Sequence, residues 1–411
     1  MGLVLVTDAS ERAALAVIRS LGKKGIKVIA ADATGFNAGF LSKYCAHKVT
    51  YPSPMENKEK FIESLLRLVK SMKLDLLVPV TDFTMIPILE RREDFEPYVK
   101  VATPPYEVAM KAYDKFQTVS IAQRCGVPHP KTFLIDSVKT LREVASELNY
   151  PAVIKPRMKV FWKSGKAIMM KVTSDNYAYN EKDLQIKYEK LTNKLRGIVP
   201  SDFFIIQEYV QGVGYGVEVL MNDSNVMALF MHKRLREYPV TGGASTLRVS
   251  TWNRRLTEYS VKLLREMSWQ GVAMVEFKLE EKNSNTNLME VNGRFWGSLP
   301  LAINAGVDFP YLLYKMIVDK DTFDVKGYKL GLTERWLIPG DLLWLFDSLF
   351  LSNGNSKFIT LKKFLSSPFM PDDFISSDDF MPTIGALVDV LRYLIEVSQK
   401  KRTIYGEALA G

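Results

Sequence analysis

Through the first hundred residues, apolar runs the length of a buried strand alternate with stretches of helical spacing, and few architectures accommodate that order. Leu3-Val4-Leu5-Val6 reads as a strand, and Ala13 to Leu21 repeats its apolar residues with helical period. Gly22 and Gly25 bracket Lys23 and Lys24, a helix stop with cations at the negative end of the helix dipole. Val28 to Ala31 is the next strand and Lys58 to Met72 the next helix, with Phe61, Ile62, Leu65, Leu66 and Val69 on one face. Leu76 to Val80 is a further strand. Such alternation predicts a parallel, doubly wound sheet. Ligands of these sheets sit at the carboxyl ends of strands, which singles out Asp8, Asp32, Thr81 and Asp82. Turn and helix-capping duties account for Asp8 and Asp32, whereas Thr81 and Asp82 are substrate candidates. The unit has no G-x-G-x-x-G, so a dinucleotide fingerprint is absent.

A chain of 411 residues can hold two or three packed units. Pro105 to Arg124 reads as one helix, followed by a mixed αβ region to about residue 320. The last eighty or so residues differ. They hold an apolar, aromatic segment (Trp336 to Leu351), an acidic loop (Asp372, Asp373, Asp378, Asp379) and a final helix. In that helix Leu387, Val388, Leu391, Leu394 and Ile395 oppose Asp389, Arg392, Glu396 and Gln399. The tail is expected to be a docking surface, with peripheral membrane contact as one use, and the acidic loop a solvated turn. Cys45 and Cys125 are the only cysteines and are far apart, which excludes a disulfide framework and a zinc site and suits a reducing, cytoplasmic setting. The chain opens directly on a strand, so no signal peptide is expected, and no apolar run reaches membrane-spanning length. Its formal charge of +9 is spread without a nucleic-acid-binding motif, which suits polyanionic small molecules and gives no expectation of nucleic acid.

The chemistry concentrates between Gly271 and Pro310. Strand-like Ala273 to Leu279 and Asn287 to Val291 flank a polar loop of hairpin composition, Glu280 to Thr286. Glu276 stands in the first strand; Glu290 and Asn292, two apart at the end of the second, face one side. Antiparallel pairing would aim Glu276 and Glu290 together. Carboxylates about 4 Å apart repel by about 4 kcal/mol at an effective dielectric near 20, so a buried pair needs a cation or a raised pKa. Carboxylate and amide oxygens are hard donors, suited to magnesium bridged by phosphates rather than to zinc. A solvated hairpin explains Glu280 and Glu281 but not acids embedded in apolar strands. Arg294 extends the same face and can grip a transferring phosphate, or pair with a glutamate.

Upstream, Tyr150 to Pro156 is a short apolar strand carrying Lys155, followed by a polar stretch, Phe161 to Lys166, that reads as a mobile phosphate-covering lid. Phe203 to Val210 is an apolar strand running into Gly212, Gly214 and Gly216, a glycine-rich turn whose backbone would read an adenine edge. His232 to Ser245 combines Lys233, Arg234 and Arg236 with Gly242, Gly243 and Ser245, suited to an anionic substrate or terminal phosphate. His232 itself reads as a packed or surface histidine.

The order of these pieces resembles the ATP-grasp superfamily, particularly its carbamoyl-phosphate-synthase-like and D-aspartate-ligase-like branch, over roughly residues 1 to 320. The resemblance implies an α/β chain: a preATP-grasp Rossmann-like domain (1–107), a two-lobed ATP-grasp domain (108–325, small lid lobe about 130–210) and a partly helical C-terminal extension (326–411). It implies Lys115 and Lys155 on the phosphates and Gln207, Glu208, Tyr209 and Val210 as the adenine hinge. Glu276, Glu290 and Asn292 would hold Mg2+, or Mn2+ in its place. Arg294 and Arg236 would steady a carboxylate and an acyl phosphate, and Thr81, Asp82, Gly242, Gly243 and Ser245 would contact substrate. Where many relatives place a ribose-binding glutamate, this chain has Tyr215, with Glu218 as a substitute. The implied activity joins a small-molecule carboxylate to an amine at the expense of ATP, in a homodimer-prone protein, with an amino acid or cell-envelope precursor as the expected substrate. A carbamoyl-phosphate-type enzyme and a non-catalytic nucleotide-binding scaffold are the alternatives.

Overall fold

The structure is a computed structural model describing residues 2–170, 172–239, 242–321, 325, 327–350, 357–365 and 370–399. Val240 and Thr241 of the basic loop, Leu351 and residues 400–411 of the extension lie outside that set.

The alternating segments form a parallel sheet from β1 (Leu3–Val6), β2 (Lys27–Asp32), β3 (Cys45–Thr50), β4 (Leu76–Val78) and β5 (Lys100–Val101), in the order β3-β2-β1-β4-β5. Helices α1 (Arg12–Lys23), α2 (Ala38–Leu41), α3 (Lys58–Ser71), α4 (Asp82–Glu90) and α5 (Arg92–Phe95) accompany it. Strand β3 is an edge strand with four exposed residues, so it carries no apolar run to reveal it. The helix expected over Pro105 to Arg124 is divided into α6 (Tyr106–Tyr113) and α7 (Lys115–Arg124). Asp114 makes the break: its carboxylate accepts from the Phe116 (2.9 Å) and Gln117 (3.4 Å) amides and caps α7.

A second, antiparallel sheet is built from β6 (Thr132–Ile135), β7 (Ala152–Pro156), β10 (Tyr177–Ala178) and β11 (Phe204–Glu208), ordered β10-β7-β11-β6 and backed by α8 (Val138–Ala145) and α9 (Glu181–Lys194). Between β7 and β10 the expected polar lid is a regular hairpin, β8 (Val160–Lys163) and β9 (Lys166–Met169). Ser164 and Gly165, both at positive φ (50° and 78°), turn it.

Six strands form the central sheet: β12 (Val213–Asn222), β13 (Asn225–Tyr238), β14 (Ala244–Ser250), β15 (Gly271–Glu280), β16 (Asn285–Asn292) and β17 (Thr333–Arg335), ordered β16-β15-β12-β13-β14-β17. One face meets α7 and α10 (Arg254–Glu266) in a core around Val217, Val275 and Trp269. The other shares a core with the N-terminal sheet, α11 (Leu299–Asn304) and α12 (Phe309–Tyr314), where Phe230, Trp296 and Val4 meet. Gly214 and Gly216 lie inside β12 rather than in a turn. A Cβ on Gly214 would stand 2.8 Å from Arg234 Cδ, and one on Gly216 would stand 2.4 Å from His232 Cε1, so the glycines make room for two side chains of β13.

The extension folds as α13 (Leu342–Phe350), α14 (Lys357–Leu365) and α15 (Met381–Ser398). Its acidic loop is an ionic clasp, not a solvated turn. Asp373 is 2% exposed and binds Arg12 (2.9 Å) and Arg248; Asp379 is 4% exposed and binds Arg19 (2.9 Å). Asp372 accepts from the Leu337 (2.8 Å), Phe374 and Ile375 (both 2.9 Å) amides, and Asp378 receives the Tyr44 hydroxyl (2.8 Å). The loop thereby fastens the extension to α1 and β14.

Candidate active site

Strands β15 and β16 pair antiparallel with Glu276 directly opposite Glu290. Asn292, next but one along β16, donates through Nδ2 to Glu276 Oε1 (2.8 Å) and Glu290 Oε1 (3.3 Å). Each acid has a cation of its own. Arg234 of β13 pairs with Glu276, and Lys159, from the segment entering the lid hairpin, pairs with Glu290 (2.9 Å) and reaches Asn292 Oδ1 (3.4 Å). Burial works against the Glu290 charge, but Lys159 and Lys115 hold its carboxyl well below the usual carboxylate range. Burial pushes Glu276 up despite Arg234, and the neighbouring Glu290 adds to the rise.

A small cavity beside the pair is bounded by Asp82, Tyr113, Lys115, Lys159, Glu290 and Asn292. Burial lowers Lys115 from its ordinary 10.5 to about 8, and burial together with Lys115 brings Lys155 to about 8 as well. Lys155 Nζ donates to Gln207 Oε1 (2.6 Å), and Gln207 Nε2 donates to Thr132 (2.9 Å), which fixes both side chains across β7, β11 and β6. Along the hinge, the Glu208 carboxylate is held by Asn149 (2.8 Å), the Tyr209 amide by the Pro151 carbonyl (2.9 Å) and the Val210 carbonyl by Lys278 (3.1 Å).

On the N-terminal side, Asp82 takes both Nε (3.0 Å) and Nη2 (3.2 Å) of Arg294, so two residues chosen independently are joined by a bidentate ion pair. Burial opposes the Asp82 charge, but Arg294 and Lys159 hold its carboxyl below the ordinary range. The Thr81 amide donates to Asp8 (2.9 Å), while its hydroxyl is buried with no partner among the described residues. Asp8 and Asp32 serve their turns: Asp8 also receives Thr84 (2.6 Å), and Asp32 receives the Ser10 amide (2.8 Å).

Four expectations are corrected. Tyr215 points to the opposite face of the sheet from Glu276, packs in the α7–α10 core and donates to Glu281 (2.7 Å), because side chains alternate along β12. Glu218 is fully buried against His232 Nδ1 (2.6 Å), out of reach of a ribose. Arg236 is taken by the extension: it pairs with Asp341 (2.7 Å) and lies over the Trp344 ring (4.4 Å). The Ser245 hydroxyl turns back to the Leu247 carbonyl (3.2 Å). In the same loop, Gly243 lends its carbonyl to Arg234 (3.3 Å) and Gly242 is exposed.

The reading by sequence missed Lys159 and the part played by Arg234. Lys155, Arg157 and Lys159 alternate in the sequence, and that spacing was the available signal for a cationic edge. Arg157 itself leaves that edge to bind Asp114 (2.5 Å).

The oxygen set suits magnesium: the Lys159 ammonium already rests on Glu290 and Asn292, so these atoms accept a cation. Among the described residues no three His, Cys, Asp or Glu side chains gather as a metal cluster. Two carboxylates and an amide leave further positions to phosphate oxygens and water, the usual arrangement of magnesium on nucleotides.

A parallel N-terminal sheet, an antiparallel lid and a central sheet bearing a paired-acid cleft define the ATP-grasp fold. Residues 201–337 match the family described as ATP-grasp in the biosynthetic pathway with Ter operon. The fold is similar to biotin carboxylase from Campylobacter jejuni, at 18% identity over 80% of this chain and 74% of that one (TM-score 0.63). It is also similar to an L-amino acid ligase from Bacillus licheniformis, at 14% identity over 79% and 75% (TM-score 0.59). A third similar structure, phosphoribosylglycinamide synthetase from Anaerococcus prevotii, shares 15% identity over 81% and 79% (TM-score 0.57). No curated protein matches the sequence.

Proposed function

We propose that this chain is an ATP- and magnesium-dependent carboxylate–amine ligase working through an acyl phosphate. The observation that carries the reading is the Glu276–Glu290 pair, bridged by Asn292 and ringed by Lys115, Lys159 and Arg234. The family match over residues 201–337 supports it, and the similar L-amino acid ligase favours an amino acid as one substrate.

Glu276, Glu290 and Asn292 would hold magnesium, which would supply positive charge to offset that of the phosphates. Lys115 and Lys155 hold the phosphates, and the hinge from Gln207 to Val210 borders the adenine. Arg294, kept in place by Asp82, steadies the substrate carboxylate as its oxygen attacks the γ-phosphorus and ADP leaves. The amine then attacks the acyl carbon: the C–N bond forms, the C–O bond to phosphate breaks, and inorganic phosphate departs. The protein contributes mainly positioning and charge.

ADP release measured against paired amino acids and other carboxylates tests the proposal. Glu290→Ala should lower substrate-dependent release by about a hundredfold or more while retaining the wild-type melting profile. Normal turnover by that variant would remove the metal assignment, and failure of the wild type to bind ATP would remove the enzyme reading.

A further inference from the structure

We infer that the outward face of α13 and α14 is a docking surface for an anionic lipid bilayer, a reading that stands apart from the ligase assignment. Helices α13 and α14 lie beyond the residues of the family match, and the extension has two unlike sides. Its inward side is acidic and spent: Asp341, Asp373 and Asp379 are buried against Arg236, Arg248 and Arg19. Its outward side is apolar. Leu342, Phe346 and Phe350 recur at every fourth residue of α13 and are all exposed, and on α14 Phe358 and Leu365 are 75% and 61% exposed. The Phe346 and Phe350 ring centroids are 5.1 Å apart, and Lys357 Nζ lies 5.6 Å from the Phe350 ring, so the two helices present one continuous face. Large apolar side chains at this density mark an interaction surface rather than ordinary scatter.

Charge selects the occupant. Helix α14 reads KFITLKKFL, three lysines and no acid, and the one acid of α13, Asp347, is buried. A second copy laid face to face would set lysine against lysine. A bilayer with anionic headgroups takes the Phe and Leu side chains below its headgroups and offers phosphates to the lysines. No described helix is long and apolar enough to cross a membrane, so the contact is one of lying on the surface.

The full chain, pelleted with sucrose-loaded vesicles, tests this. It should sediment with mixed phosphatidylcholine–phosphatidylglycerol vesicles and stay in the supernatant with phosphatidylcholine alone. Lys357→Gln with Lys362→Gln should weaken the partition by about tenfold or more. Phe358→Ser with Leu365→Ser should abolish it, with the melting temperature and lipid-free ADP release unchanged. If the apolar pair fails to fold, the exposed lysine pair carries the test alone. The inference falls if the wild type ignores the anionic vesicles, or if the lysine pair sediments like wild type. It falls equally if the protein is a lipid-free dimer that the apolar pair converts to monomer, which would give the face to a second copy.

Discussion

At the residue scale, the site balances charge by pairing, and its two phosphate-side lysines are the least balanced members. Lys115 and Lys155 sit near pKa 8 in the free protein because burial disfavours their charge. Phosphate favours the charged form, so nucleotide raises both values and takes up protons at alkaline pH. The sign follows: affinity is full below about pH 8, and Kd then rises by about tenfold per pH unit for each lysine that must be reprotonated. Calorimetric titration with ATP across that range checks it; a Kd flat to about pH 9.5 would show the lysines uninvolved. A second expectation concerns Gly216, where alanine would meet His232 Cε1 at 2.4 Å. Gly216→Ala should cost about 1–3 kcal/mol of stability, read by urea unfolding, and no loss would mean the ring has space to retreat. Glu276, Glu290 and Asn292 were legible beforehand because pleat and hairpin pairing are local rules. Lys159 and the partner of Arg236 were not, since each is set by a distant segment folding over it.

At the element scale, the lid hairpin is already docked on the N-terminal domain. Trp162 Nε1 donates to the Pro54 carbonyl (2.9 Å), the Lys58 amide to Gly165 (2.9 Å) and the Ala167 amide to Met55 (2.8 Å). Trp162→Phe keeps the ring and removes one hydrogen bond worth about 1 kcal/mol, so the closed-to-open ratio should fall by about fivefold. The readouts are a raised KM for ATP and faster proteolysis between residues 160 and 169; an unchanged cleavage rate would mean the indole contact does not hold the lid. The hairpin escaped notice in the sequence because its strands, Val160–Lys163 and Lys166–Met169, are only four residues each and too short to show a period. The acidic loop was misread for a different reason: four aspartates signal water unless the arginines that claim Asp373 and Asp379, more than a hundred residues away in sequence, are known to converge there.

At the scale of the whole molecule, the N-terminal sheet and the central sheet share one core, in which Val4, Phe230 and Trp296 belong together. The Asp82–Arg294 pair crosses the same junction, and the lid contacts tie the hairpin to the segment before α3. The extension adds a third tie through Asp373, whose removal leaves Arg248 buried without its charge partner. Asp373→Ala should therefore destabilise the entire chain by about 3 kcal/mol rather than merely loosen its C-terminus. Nucleotide should act on the same cooperative unit in the opposite direction. ATP with magnesium at about a hundred times Kd adds about 2.7 kcal/mol, a rise of about 3 °C in the midpoint for a chain of this length. Glu290→Ala should retain the part of that shift caused by ATP alone and lose the further part caused by magnesium, because its carboxylate belongs to the metal set and not to the hinge. Calorimetric scans of both proteins with ATP, with magnesium and with both separate the contributions. Two transitions, only one of them moved by nucleotide, would mean the units melt independently despite their shared core.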